Sequence, residues 1–236
     1  MSGDRWRQLT LTLFRDSGAS FGNFHAAGNE EALGALADWA RGAGPWCMLL
    51  WGGEGVGKSH LLQAAVGAAA ARGAQAMYVP LAEARAYGVE ALEGLEELAA
   101  LALDDVEVLA GQRAWEDALF TLYNRMQAAG RRLLVSAASP PRDLPFALPD
   151  LRSRLAAALV YRLQPLADDD KCAALVAAAA ARGIGMPESV ATYLLRRLPR
   201  DWSTLHAALA KLDAASLSEG RSLTVPFVRE VLRLEE

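Results

Sequence analysis

Gly52-Gly53-Glu54-Gly55-Val56-Gly57-Lys58-Ser59 meets every fixed position of G-x-x-x-x-G-K-[ST]. Glycines at these positions let a backbone wrap a chain of phosphates with its N–H groups turned inward, and a helix that follows adds the partial positive charge of its N-terminus. Within such a loop Lys58 is expected to reach the terminal phosphates, and the Ser59 hydroxyl to ligate Mg²⁺. His60, the next residue, is assigned to the same nucleotide site. The flanks agree: Trp46-Cys47-Met48-Leu49-Leu50-Trp51 is a short apolar run of strand type, and Leu61 to Arg72 is an Ala- and Leu-rich helical stretch. A strand–loop–helix unit is the context that separates this motif from a chance glycine-rich turn. The loop therefore fixes the first βα unit of an α/β domain and predicts a bound nucleotide. It does not say whether the nucleotide is turned over.

The rest of the chain extends that unit. Runs of strand type fall at 46–51, 76–80, 100–104, 132–137 and 158–163, and helical patterns fall between them at 30–41, 57–72, 113–129 and 150–156. Such alternation predicts a five-stranded parallel sheet flanked by helices. After Pro165 the strand signal stops, and four helices are expected over 168–182, 187–198, 201–216 and 225–234. The predicted organisation is a tail over 1–20, an α/β nucleotide-binding domain over 21–165 and a small four-helix lid over 166–236. With 53% hydrophobic and 22% charged residues among 236, the chain can bury a substantial core. It has no run apolar enough for a membrane span and a polar N-terminus, so no membrane partner and a cytoplasmic location are expected. A formal charge of −4 argues against a free-standing nucleic-acid binder. Cys47 and Cys172 have neither metal-ligand nor redox spacing and are expected to be reduced core residues; His25, His60 and His206 form no cluster.

Leu101-Ala102-Leu103-Asp104-Asp105 is an apolar strand that ends in two carboxylates. Downstream of a phosphate loop, Asp104 is the expected partner of Ser59 in holding Mg²⁺, and Asp105 is placed to polarise a water. The competing explanation is a solvated turn at the end of a strand. Leu133-Leu134-Val135-Ser136 is a further buried strand ending in a hydroxyl, where Ser136 could sense a γ-phosphate or simply terminate the strand. Pro149-Asp150-Leu151-Arg152-Ser153-Arg154-Leu155 sets two arginines on one short helix; by spacing alone these are ordinary surface arginines.

Together these segments resemble the AAA+ ATPases of the DnaA type, and within them the DnaA-homologous branch that inactivates the replication initiator. The resemblance is carried by Ser20–Phe24, Gly52–Ser59, Leu103–Glu107, Leu119–Arg125, Leu148–Arg154, Leu163–Leu166 and Leu223–Val228, essentially the whole chain. It implies a P-loop AAA+ fold with a helical lid, and ADP, another nucleoside diphosphate or ATP as cofactor, with Mg²⁺. It implies that Arg154 is an arginine finger directed in trans at ATP held by DnaA. It implies that Gln8, Leu9, Leu11, Leu13 and Phe14 form a peptide that docks on the DNA polymerase sliding clamp, reaching DNA only indirectly. The alternating leucines would share one face of an extended peptide, with Phe14 as aromatic anchor, although a sticky tail or an edge strand would look alike. Phe24, His25 and Asn29 are placed near the base by resemblance, or else pack the start of the domain.

Two positions depart from the family. Ala138 stands where an acid usually follows the sensor hydroxyl, and Ser203 stands where the lid usually presents an arginine, with Arg200 about one turn away. Both changes predict weak intrinsic ATPase activity. The expected function is regulatory inactivation of DnaA, limiting re-initiation of replication. The alternative is a helicase-loader-like AAA+ ATPase with its own turnover; a small-molecule P-loop kinase and a purely structural nucleotide-binding module are further rivals. The sequence leaves self-association open, so a homo-oligomer is compatible with it.

Overall fold

The computed structural model describes residues 19–180, 182–199 and 202–234, with the side chains at 168, 169, 202, 203 and 206 outside that description. Five strands are present: β1 (Cys47–Trp51), β2 (Ala76–Pro80), β3 (Ala100–Asp104), β4 (Arg132–Ala137) and β5 (Leu159–Arg162). The helices are α1 (Glu30–Ala40), α2 (Lys58–Ala70), the single turn α3 (Leu81–Ala84), α4 (Arg113–Ala128), α5 (Pro149–Ala156), α6 (Asp168–Ala180), α7 (Glu188–Arg197), α8 (Trp202–Glu219) and α9 (Val225–Leu232). The strands form one parallel sheet in the order β2-β3-β4-β1-β5. Met48, Leu49, Leu50, Leu101, Leu103, Leu133 and Val135 are fully buried, the near-continuous apolar pattern of parallel strands covered on both faces. The edge strands β2 and β5 bury less, which matches their mixed composition.

Residues divide into two compact units. The first holds 29–53 and 57–164 with 19–22; the second holds 23–28, 54–56 and the chain from Pro165 onward. In the first unit α2 lays Leu61, Leu62, Ala64, Ala65, Val66 and Ala69 into the core, and its alanines permit close approach to the sheet. In the second unit α6 to α9 enclose a core that includes Leu175, Val190, Leu194, Leu209, Leu212 and Phe227. Thr224 caps α9, its hydroxyl accepting the Phe227 N–H at 3.4 Å, with a proline in the first turn.

Residues 81–97, for which no element is predicted, form α3 and a series of 3₁₀ turns (Arg85–Tyr87, Val89–Leu92, Leu95–Glu97), because Gly88 and Gly94 interrupt a stretch that otherwise has helical composition. Two details differ from the expectation. Cys47 is buried as expected, but Cys172 is only half-buried at the side of the second core. The end of α8 reaches Glu219, beyond the expected 216. Among the described residues no helix is long and apolar enough to cross a membrane.

Candidate nucleotide site

Parallel pairing aligns the C-terminal ends of the central strands. Trp51 of β1 lies opposite Ala137 of β4, Leu50 opposite Ser136, and Leu103 of β3 opposite Val135. The Gly52–Ser59 loop leaves β1 at that edge, and Gly52 N–H donates to Ala137 C=O at 3.2 Å. Ligands of open parallel sheets collect beyond these carboxyl ends, where adjacent loops diverge. Gly57 caps α2 with φ 96°, a left-handed conformation that a side chain would oppose. Lys58, 9% exposed, donates from Nζ to the carbonyls of Gly52 at 2.9 Å and Gly53 at 3.1 Å. The ammonium is thus held inside the loop that it would share with a phosphate.

Asp104 ends β3 as a buried carboxylate, 4% exposed. Ser136, fully buried on β4, donates its hydroxyl to Asp104 Oδ1 and accepts the Asp105 N–H at 2.8 Å. Asp105 has φ 56° and ψ 60°, a left-handed conformation that is uncommon for a residue with a Cβ and costs about 1 kcal/mol. The Ser136 bond and the turn bond from Val108 N–H to Asp105 C=O at 3.2 Å hold it there. The strained hinge turns the chain sharply after Asp104, leaving the two adjacent carboxylates in different surroundings: Asp104 buried, Asp105 half-exposed. Ser136, one residue before the end of β4, therefore organises both acids.

Glu107 follows one turn later. Its Oε1 accepts the Ala138 N–H at 3.0 Å, and its buried Oε2 has no hydrogen-bond partner among the described residues. An acid from the β3 turn thus stands beside Ala138, the position where the family's own acid is missing. Burial raises the Glu107 carboxyl above the ordinary carboxylate range, and the negative charge of Asp105 adds to this, against hydrogen bonds from backbone amides and the charge of Lys58. Tyr78, from β2, donates to Asp104 Oδ2 at 2.6 Å. Neither Glu107 nor Tyr78 was singled out from the sequence. Glu107 could have been, since it lies three residues beyond Asp104; Tyr78 could not, since its contact depends on strand register.

The oxygen donors at Ser59 and Asp104, the glycine backbone and the helix N-terminus fit a phosphate chain with a hard divalent cation. Four further residues of the expected nucleotide site are His60, Asn29, Phe24 and His25. His60 is half-buried with Nε2 3.0 Å from the Ser20 carbonyl; burial lowers its pKa, against that backbone contact. Asn29, 3% exposed, donates from Nδ2 to Gln164 C=O at 3.1 Å and accepts Gln164 N–H at 2.7 Å, so its amide fastens the start of α1 to the residue beyond β5. Phe24 and His25 belong to the second unit, where His25 Nε2 lies 3.7 Å from Asp170 Oδ1. Gln8, Leu9, Leu11, Leu13 and Phe14 lie outside the described residues, as do Arg200 and the Ser203 side chain.

Arg154 sits on the last turn of α5, exposed, with no ion pair among the described residues. Its carbonyl accepts the Tyr123 hydroxyl at 3.0 Å from α4. Glu116, also on α4 and fully buried, accepts the N–H groups of Gly111 at 2.7 Å, Ala147 at 3.0 Å and Leu148 at 2.7 Å. This anchors the chain where it enters α5. Sequence inspection passes over Glu116, because a glutamate in the first turn of a helix ordinarily faces solvent.

A parallel sheet in this strand order, a phosphate-type loop after β1, paired acids after β3 and a following four-helix unit define a DnaA-like AAA+ protein. The chain belongs to the bacterial DnaA ATPase-domain family, which matches residues 18–162, and residues 168–232 match the lid domain of Hda. It is therefore a DnaA-homologous AAA+ protein of Hda type. Among solved structures, domain III of the Thermotoga maritima replication initiation protein DnaA superposes with a TM-score of 0.80 at 22% identity, over 92% of this chain and 97% of that one. DnaA from Aquifex aeolicus, solved bound to AMPPCP, gives 0.72 at 21% identity over 88% of this chain and 68% of its own. The Thermotoga maritima RuvB branch-migration motor shares the fold more distantly, with a TM-score of 0.59 at 16% identity over 87% of this chain and 67% of that one.

Proposed function

We propose that this protein is a regulatory inactivator of the replication initiator DnaA, acting through Arg154 on ATP bound to DnaA. The observation that carries the proposal is the presentation of Arg154: an exposed guanidinium without an ion pair among the described residues, on a short helix gripped from α4 by Glu116 and Tyr123. Family membership and the Hda-type lid direct it toward DnaA-related replication control. Arginine keeps its charge at any physiological pH and matches phosphoryl oxygens with a planar fork. Inserted at a neighbour's γ-phosphate, it stabilises the charge that develops during transfer, an effect of about 10³ to 10⁵ in rate.

The chain's own site holds ADP, or another adenine nucleotide, with Mg²⁺. The Gly52–Ser59 backbone and Lys58 hold the phosphates; Ser59 and Asp104 hold the metal. The bound metal neutralises phosphate charge. AMPPCP in the Aquifex aeolicus relative supports an adenine nucleotide here. Ala138 and Ser203 support a holder of nucleotide with weak turnover. Residues 8–14 tether the protein to the sliding clamp, which raises its local concentration at DnaA on newly replicated DNA without any new contact to DnaA.

The test is hydrolysis of radiolabelled ATP pre-bound to DnaA, with and without this protein and clamp-loaded DNA. The expected result is conversion to ADP that requires both. Clamp-independent hydrolysis of free ATP by the isolated chain, at rates typical of a motor, would instead support the helicase-loader-like alternative.

A further inference from the structure

Both carboxylate oxygens of Asp104 are engaged by protein hydroxyls: Oδ1 by Ser136 and Oδ2 by Tyr78 at 2.6 Å. Tyr78 comes from the neighbouring strand, where it is registered opposite Ala102 and the strand end Pro80 lies opposite Asp104. Its phenol also interacts with the side chains of Ser59 and Gln63 on the first turns of α2. It therefore interacts with both the hydroxyl and the carboxylate that would share a divalent cation.

A carboxylate offers about four lone-pair positions, and a hydrogen bond from a hydroxyl to an ionised oxygen is roughly twice as strong as a neutral one. At a nearly buried site such bonds satisfy much of the charge that a metal-bound water would otherwise satisfy. A water on a bound Mg²⁺ would have to share the Asp104 oxygens with a phenol fixed by the sheet.

We propose that Tyr78 is a positioning residue that makes retention of a nucleoside diphosphate nearly independent of Mg²⁺, so the clasp on spent nucleotide persists when the metal leaves. This rests on the nucleotide-holding function proposed above. Removing only the phenol oxygen frees Asp104 Oδ2 for a metal-bound water and restores a metal requirement to binding.

The experiment measures ADP affinity of the full chain by calorimetry in Mg²⁺ and in EDTA. Wild type is expected to give dissociation constants within about threefold of each other, and Tyr78→Phe a constant about tenfold or more tighter in Mg²⁺ than in EDTA. Urea midpoints of both nucleotide-free proteins report whether the substitution merely loosens β2 from β3. A loosened sheet lowers that midpoint and weakens ADP equally in both buffers, which overturns the proposal. So does a wild-type protein that loses about tenfold or more in EDTA, or a Tyr78→Phe protein that keeps the wild-type ratio. If no variant binds ADP in either buffer, the nucleotide-holding function itself is wrong and the role of Tyr78 falls with it.

Discussion

The fully buried carboxylate of Glu116 accepts the backbone N–H of Leu148 at 2.7 Å, one residue before the helix that carries Arg154. Seven residues further along α4, the Tyr123 hydroxyl holds the Arg154 carbonyl at 3.0 Å. One helix therefore grips α5 at both ends, and the arginine is presented from a fixed backbone. Glu116→Ala would leave three amides without their acceptor and is expected to destabilise the protein by about 3 kcal/mol or more. Tyr123→Phe loses the bond to the Arg154 carbonyl and the contact with the Cys47 thiol, about 1–2 kcal/mol together. Urea unfolding gives both values. Tyr123→Phe is further expected to lower stimulation of DnaA-bound ATP hydrolysis while leaving ADP affinity unchanged; equal stimulation by the folded variant would show that this bond does not position Arg154.

Glu107 gives a pH-dependent signature. Burial, with the charge of Asp105, raises its carboxyl above the ordinary glutamate value in the folded protein. The folded state then binds more protons than the unfolded state just above that value, so this group's contribution falls as pH rises from there through the folded pKa. Glu107→Gln removes the penalty. The variant is expected to unfold at higher urea than wild type at about pH 7, with the gap narrowing as pH falls and closing below about pH 4, where the wild-type carboxyl becomes protonated in both states. A gap independent of pH would contradict the assignment.

The two thiols are expected to differ in reactivity. Burial pushes the Cys47 thiol up to about 12, against a side-chain hydrogen bond from Tyr123, whereas Cys172 is half-buried. Reaction requires the thiolate and access, so a thiol reagent at about pH 8 is expected to label one site on the native chain and a second only on unfolding. Cys172→Ser should leave the native protein unlabelled.

The strands were legible because β1, β3 and β4 each centre on a run of apolar residues, and each lies within a residue or two of its expected position. The loop after β1 and the acids after β3 were legible from their order along the chain. What depended on strand register was not. Nothing in Ala76–Pro80 marks Tyr78 as the residue that reaches Asp104, and nothing in α4 marks Glu116 as a buried acceptor rather than a solvated acid. The pairing of the Asn29 amide with Gln164, 135 residues along the chain, was likewise not legible. The turns at 81–97 escaped because their alanines, leucines and glutamates have helical propensity without a sustained period.

Deletion of residues 8–14 tests the tether. The truncated chain is expected to bind ADP as wild type does, to lose retention on immobilised sliding clamp, and to lose stimulation on clamp-loaded DNA. Undiminished clamp retention would exclude Gln8, Leu9, Leu11, Leu13 and Phe14 as the docking peptide.

The central claim is that Arg154 acts on ATP held by another protein. Single-turnover hydrolysis of ATP pre-bound to DnaA, with clamp-loaded DNA, tests it most directly by comparing wild type with Arg154→Ala and Arg154→Lys. The predicted result is a loss of about 10³-fold or more in the stimulated rate for Arg154→Ala and incomplete rescue by Arg154→Lys, with ADP affinity and clamp retention unchanged. Stimulation by Arg154→Ala equal to that of wild type would contradict the account.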